Sequence, residues 1–261
     1  MPLCAARLEG SMTEHVIVTD EGPIRTIRMN RPEKKNALTS AMYDAMAEAI
    51  ETANGSSPIR CVLICGAPGA FSAGNDLGDF MKAATGGEGL GNAVLRFLYA
   101  LARAERPLVA AVQGVAVGIG TTMLLHCDYA VAANDARFST PFVALGLVPE
   151  AASSLLAPRL MGHRRAFELL VMGRPLSGEE AKAAGLVNQV APTGEVEAEA
   201  IKAAQAIAAL PPEGVAISRQ LMKGTPDDVV KRIDEEASAF RQRLSSPEAR
   251  EAFTAFFSRK K

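Results

Sequence analysis

The 261-residue sequence predicts an α/β fold with parallel strand pairing, on three observations. Short apolar runs of strand length alternate with stretches whose apolar residues recur at helical spacing. One run, PLVAAV at 107–112, has the length and β-branched content of a buried strand. Glycine-punctuated turns follow the runs, at 66–69, 69–74 and 114–120, where backbone takes positive φ or lies close to a ligand.

In chain order, residues 15–19 and 24–29 read as two short strands around Asp20-Glu21-Gly22-Pro23. A polar loop with three basic residues, NRPEKKNA, occupies 30–37. Leu38, Met42, Ala45, Met46, Ala49 and Ile50 then predict a one-faced helix over 38–53. An apolar strand over 58–65 ends at Gly66-Ala67-Pro68-Gly69, and GAFSAGNDL at 69–77 makes a further turn toward a helical start. Gly86, Gly87, Gly89 and Gly91 mark a mobile loop suited to a lid, before a helical stretch over 91–105. After the strand at 107–112, the turn carrying Gly114, Gly118 and Gly120 leads into an apolar segment at 121–125. A helix beginning at such a turn offers free N–H groups to an anion or oxyanion.

Further on, a helix is expected to begin around Ala151 and to include 157–160, followed by Gly162 and an amphipathic run over 164–172. Ser177-Gly178-Glu179-Glu180 is a capping pattern, with Gly185 as the C-cap of its helix. From Gly194 the chain is almost wholly helix-forming, interrupted at Pro211-Pro212, 224–226 and Pro247, with pairs such as Glu235-Glu236 read as solvated faces. The expected organisation is a core over 12–193 and a helical region over 194–261, with 1–11 disordered or extraneous to the fold.

Composition narrows the function classes. At 48% hydrophobic and 22% charged residues the chain can bury a sizeable core. A net charge of −1 gives no electrostatic footprint for nucleic acid or an anionic membrane, and no apolar run approaches a membrane span. Four cysteines are present, but Cys61 and Cys65 share one strand face too far apart to bond, so reduced thiols are expected. The N-terminus lacks a signal-peptide apolar region, and the final SRKK is not a peroxisomal SKL signal. The expected location is therefore the bacterial cytoplasm, or mitochondrion or peroxisome for a eukaryotic chain.

Several motifs fail on inspection. Gly118-Ile119-Gly120 is followed by Met at 123, so the dinucleotide fingerprint is not met. Ser72 sits in AFSAG and not in GxSxG. His126-Cys127-Asp128 holds the atoms of a thiol triad, but adjacent helical residues face different ways, which favours a helix end and a buried thiol. His15, His126 and His163 have no metal-ligand spacing, and no phosphate-cradling P-loop is present. What remains is Glu150, a lone carboxylate in LGLVPEAASS. Two readings stand side by side: a helix N-terminal charge, or a poorly solvated general base whose pKa rises.

At these residues the chain resembles the crotonase, or enoyl-CoA hydratase/isomerase, superfamily. The resemblance covers about 14–260 and rests on Asn30-Arg31-Pro32, Asn36-Ala37-Leu38, FSAGNDL at 71–77, GVAVGIG at 114–120, Cys127-Asp128, Ala136-Arg137-Phe138 and Leu145-Gly146-Leu147. It implies a crotonase-like ββα spiral core with a C-terminal helical trimerisation region, and homotrimers that often pair into hexamers. It also implies an acyl-CoA thioester whose carbonyl oxygen lies between the backbone N–H groups of Asn75 and Ile119. Coenzyme A belongs to the substrate, so no separate cofactor is implied.

The departures narrow the branch. Where hydratases of this family carry their two glutamates, this chain has Thr122 and Phe142. Glu150 stands where peroxisomal-type 3,2-enoyl-CoA isomerases have their single catalytic glutamate, with FSTPF at 138–142 and Pro149-Glu150 in the same style. The implied reaction moves a 3-enoyl-CoA double bond to position 2, in fatty-acid β-oxidation. The implied CoA site uses Arg31, Lys35, Ala37, Ala73, Asp76 and Leu77, with Lys260 from a neighbouring subunit, and the implied acyl pocket uses Phe80, Thr122, Phe142 and Leu145. For the basic residues, plain surface solvation is the competing account. A hydratase, a thioesterase of the same fold, and an acyl-CoA-binding scaffold without turnover stay open as alternatives.

Overall fold

Seven strands form the main sheet in the order β1-β2-β3-β4-β5-β7-β10, and a second sheet has the order β6-β8-β9. The computed structural model describes residues 6–7, 14–76, 78 and 90–258. Strands β2 (Val16–Glu21) and β3 (Ile24–Met29) make an antiparallel hairpin, and β1 (Ala6–Arg7) pairs antiparallel with β2. Strand β1 falls within residues 1–11, the stretch expected to be disordered or extraneous to the fold. From β3 onward the pairing turns parallel: β4 (Cys61–Gly66) on β3, β5 (Leu108–Val112) on β4, β7 (Tyr129–Ala133) on β5, and β10 (Gln189–Ala191) on β7.

Central strands covered on both faces should be apolar at every position. CVLIC of β4 and LVAAV of β5 are buried throughout. Helix α1 (Ser40–Asn54) crosses from β3 to β4, and its start is set by Thr39, whose hydroxyl accepts from the N–H of Met42. Its buried row, including Met42, Met46 and Ile50, packs toward the sheet and α2 (Asn92–Ala102). Pairing of β4 begins at Cys61 and not at 58, because its partner strand begins only at Ile24, opposite Cys61.

The small sheet is made of β6 (Val115–Val117), β8 (Arg137–Ser139) and β9 (Leu176–Ser177). Two successive turns of the chain give one strand to the large sheet and one to the small sheet before the next helix, β5–β6 followed by α3 (Ile119–Thr122) and then β7–β8. This is the ββα spiral that the resemblance implies. Ser72 bridges to Ala116 and Asn75 to Leu38, so the 72–76 segment lies in extended form between β6 and the 36–38 loop.

Two short helices follow the second spiral turn, α4 (Ser153–Met161) and α5 (His163–Leu170). Helix α6 (Gly178–Ala183) has the anticipated capping box between Ser177 and Glu180; its C-cap is Ala184, and Gly185 with φ 79° lies one residue beyond. Helix α7 (Val196–Ala208) packs on β4, β5 and β7, so the helical region contributes to the sheet's own core. Helices α8 (Pro212–Lys223), α9 (Asp227–Leu244) and α10 (Pro247–Ser258) complete the chain, their breaks falling at the expected prolines and Gly224. Helix α9 lies against α2 and α4. Of the Glu235-Glu236 pair only Glu235 is exposed; Glu236 is buried, which corrects its reading as a solvated face. No helix among the described residues is long and apolar enough to cross a membrane.

Candidate active site

The site is assembled from two turns and one carboxylate. The N–H of Leu38 donates to the carbonyl of Gly74 at 2.8 Å, and the N–H of Asp76 donates to the carbonyl of Leu38 at 2.8 Å. In an extended segment successive residues point their backbone groups to opposite sides. The N–H of Asn75 therefore points away from Leu38, on the side where β6 runs. Gly74 makes this approach possible: its φ is 86°, and a Cβ there would lie 2.8 Å from the carbonyl oxygen of Val117.

Ile119 is the first residue of α3, preceded by Gly118 with φ 55° and ψ −119°. A first-turn N–H has no intrahelical acceptor. Neither the Asn75 nor the Ile119 N–H donates to a backbone carbonyl among the described residues. Gly120 keeps the two turns together, since a Cβ on it would come 2.9 Å from the carbonyl oxygen of Ser72.

Glu150 is only 2% exposed. Its Oε1 accepts the hydroxyl of Thr122, on the last turn of α3, at 2.5 Å. Burial pushes its carboxyl up to about 8; the Thr122 bond opposes the rise and Glu236 adds to it. Tyr43, on α1, donates its hydroxyl to Oδ1 of Asn75 at 2.5 Å. Burial, and after it the charge of Glu150, hold the Tyr43 phenol well above its ordinary value. Thr122 thus ties the carboxylate to the Gly118 turn, while Tyr43 ties α1 to the Asn75 turn.

Behind Glu150 the backbone is strained. Ala151 and Ala152 have φ of 61° and 53°, a region that alanine rarely enters. The helix expected at Ala151 therefore begins two residues later, at Ser153. His126 Nε2 lies 2.8 Å from the Ala151 carbonyl and donates to it as neutral imidazole, burial lowering its pKa to about 4. Cys127 is pushed up to about 12, and Asp128 pairs with Arg219 and Lys223. The three side chains turn to different partners and form no nucleophilic triad.

The other expected site residues fall as follows. Phe142 is buried, with its ring at the Gly118 turn, and Leu145 is partly buried in the 3₁₀ turn Val143–Leu145. Thr122, expected in the acyl pocket, is buried, and its hydroxyl holds Glu150, which meets the need to pair a buried carboxylate. Arg31 is committed to the Asp76 carboxylate at 2.7 Å and to the Ala37 carbonyl at 3.1 Å, and is no bare surface cation. Lys35 is exposed at φ 50°, its carbonyl accepting the N–H of Ala73 at 2.8 Å. Leu77, Phe80 and Lys260, and the loop around Gly86 to Gly89, lie outside the described residues. Among the described residues no group of three His, Cys, Asp or Glu side chains is arranged to hold a metal. Sequence reasoning missed Tyr43, His126 as a backbone anchor, and Glu236, none of which has a local sequence signal.

Known proteins share this arrangement of chain. The family profile described as enoyl-CoA hydratase/isomerase matches residues 19–261. Rat enoyl-CoA delta isomerase 2 is 38% identical over 250 residues, covering 94% of this chain and 64% of the relative, so this chain spans somewhat under two-thirds of that protein. The 1,2-epoxyphenylacetyl-CoA isomerase of Escherichia coli K12 is 32% identical over 255 residues, covering 95% of this chain and 97% of the relative. The structure of Pseudomonas aeruginosa OdaA superposes with a TM-score of 0.89 at 44% identity, covering 94% of this chain and 99% of that one. On this fold and these matches, the chain belongs to the enoyl-CoA hydratase/isomerase family of the crotonase superfamily.

Proposed function

We propose that the chain isomerises 3-enoyl-CoA thioesters to trans-2-enoyl-CoA by a single-glutamate proton shuttle. Glu150 takes the proton from C2, the N–H groups of Asn75 and Ile119 carry the negative charge of the dienolate oxygen, and protonated Glu150 returns the proton at C4. One base suffices because removal and delivery occur on one face of the substrate. The observation that carries this reading is a buried Glu150, its carboxyl at about 8, with Thr122 and Phe142 in the places of the two hydratase carboxylates. A base near the working pH combines a useful deprotonated fraction with proton affinity. Losing one oxyanion donor would cost on the order of 3 kcal/mol of barrier.

The same reading places the reaction in fatty-acid β-oxidation and the CoA moiety near Arg31, Lys35, Ala37, Ala73 and Asp76, with no separate cofactor. A homotrimer or hexamer belongs to it. Helix α8 leaves Leu221 81% and Met222 87% exposed, apolar surface that a subunit contact would cover.

The test is turnover of 3-hexenoyl-CoA and crotonyl-CoA by wild type and Glu150→Gln. Fast isomerisation, slow hydration and a variant slowed at least about a hundredfold support the proposal. Hydration that survives Glu150→Gln sinks it, and tight acyl-CoA binding without turnover by wild type points to a scaffold.

A further inference from the structure

We infer that Glu236 is a positioning residue for Glu150: carried on α9, its carboxyl group holds the left-handed Ala151–Ala152 turn that aims the base. The inference takes Glu150 as the reacting base from the proposed function and goes beyond it in assigning what holds that base.

Helix α4 starts without a side-chain cap of its own. Its N-cap is Ala152, which has no side-chain acceptor to offer the first-turn N–H groups. The acceptor comes from 82 residues further along: Glu236 Oε1 accepts the N–H of Ser154 at 2.9 Å. The N–H of Ala152 faces the same carboxyl group. One helical turn earlier on α9, Arg232 Nη1 donates to Ser154 Oγ at 3.2 Å. On the other side His126 holds the Ala151 carbonyl. The two strained alanines are therefore gripped from both sides, by α9 and by the end of the 3₁₀ turn Met123–His126.

Left-handed alanines persist only where surrounding contacts over-determine them. Without the carboxyl group of Glu236, Ala151 and Ala152 can relax toward ordinary φ, and the side chain of Glu150, joined directly to them, turns with the backbone. Glu236 is bonded through these backbone donors at Oε1, while its Oε2 has no hydrogen-bond partner among the described residues.

The test compares Glu236→Gln, Glu236→Ala and the double variant Glu236→Ala/Ala152→Gly. Each is assayed for kcat and KM on 3-hexenoyl-CoA, per mole of folded protein, and for amide hydrogen exchange over 151–155. Gln keeps an oxygen acceptor, so Glu236→Gln should stay within about threefold of wild type in kcat and exchange. Glu236→Ala should lower kcat at least tenfold with KM changed less than threefold, and speed exchange over 151–155 at least tenfold. Glycine takes positive φ freely, so Ala152→Gly should return a several-fold share of the lost kcat.

Unchanged kcat per folded molecule in Glu236→Ala, unchanged exchange, or a Gln variant as impaired as the Ala variant would each overturn the inference. If Glu236→Ala alone does not fold, the double variant decides: fold and turnover regained together support it, and fold regained without turnover overturns it. Should wild type fail to isomerise, the proposed reaction falls, while the exchange comparison still decides whether Glu236 holds the turn.

Discussion

Thr122 donates its hydroxyl to Oε1 of Glu150 at 2.5 Å, joining the last turn of a four-residue helix to the carboxylate that follows Pro149. In a buried setting that bond favours the charged carboxylate, against the desolvation that favours the acid. On the proposed mechanism the same threonine stands where a hydratase would have a second acid, so one side chain would both remove a proton donor and tune the base that remains.

Replacing Thr122 by Val should therefore move the base up. The kcat/KM profile of wild type should rise with pH and level off above about 8, because the free enzyme's base must be deprotonated. Thr122→Val should shift that inflection to higher pH and lower kcat/KM at pH 7 by roughly tenfold, the scale of one hydrogen bond to a charged group. A profile with its inflection unmoved would show that the bond does not set the base.

Stability should carry the mark of the same group. Native Glu150 holds its proton up to about 8, against 4.5 when unfolded, so between those values the folded state binds the extra proton. Stability contributed this way falls as pH rises through that window. His126 acts oppositely between about 4 and 6.5, where the unfolded chain binds more protons, so the two offset one another there. Above pH 6.5 the Glu150 effect stands without that offset. Glu150→Gln should melt higher than wild type at pH 8.5 by on the order of 2 kcal/mol, or roughly 4–8 °C, with the gap closing toward pH 5. Thermal scans across pH 5–9 measure it.

Tyr43→Phe isolates the oxyanion side of the site. The ring still fills its buried place while Oδ1 of Asn75 loses its donor. The expected result is a fall in kcat of about two- to tenfold with little change in acyl-CoA affinity. Equal losses in kcat and affinity would place Tyr43 in binding and not in orientation of the Asn75 peptide.

Gly74→Ala should damage fold and site together. It combines a φ of 86° with a 2.8 Å approach to the Val117 carbonyl, and backbone strain of this kind costs about 1–3 kcal/mol before the clash is counted. Urea unfolding should show a lower midpoint, and the folded fraction should have lost most of its turnover. A stable, active Gly74→Ala protein would mean that the Asn75 N–H is not placed by this contact.

Most of the large sheet was legible because its strands are rich in β-branched residues and bounded by glycine or proline. Strand β7 escaped, since YAVAA is mostly alanine, which has little strand preference of its own, and its place is set by burial between β5 and β10. The strands of the small sheet are two or three residues long, too short to show a period. Glu150 was readable as an acid among apolar neighbours, and its lack of solvent follows from that setting. The turn behind it was not, because nothing in two alanines announces left-handed backbone. Glu236 was hidden for the opposite reason: an acidic pair on an amphipathic helix looks solvated until a helix start from 82 residues earlier in the chain lies against it.

That separation has a consequence for the order in which the enzyme comes into being. A chain made from its N-terminus delivers both glycine turns and residue 150 well before residue 236, and elements made early fold early. On the ribosome the spiral can close while the turn behind Glu150 still lacks its distant acceptor. On the proposed roles of Glu150 and Glu236, competence as a base then arrives with α9, so release of the last helices, and not closure of the sheet, would mark the moment when synthesis yields a working catalyst.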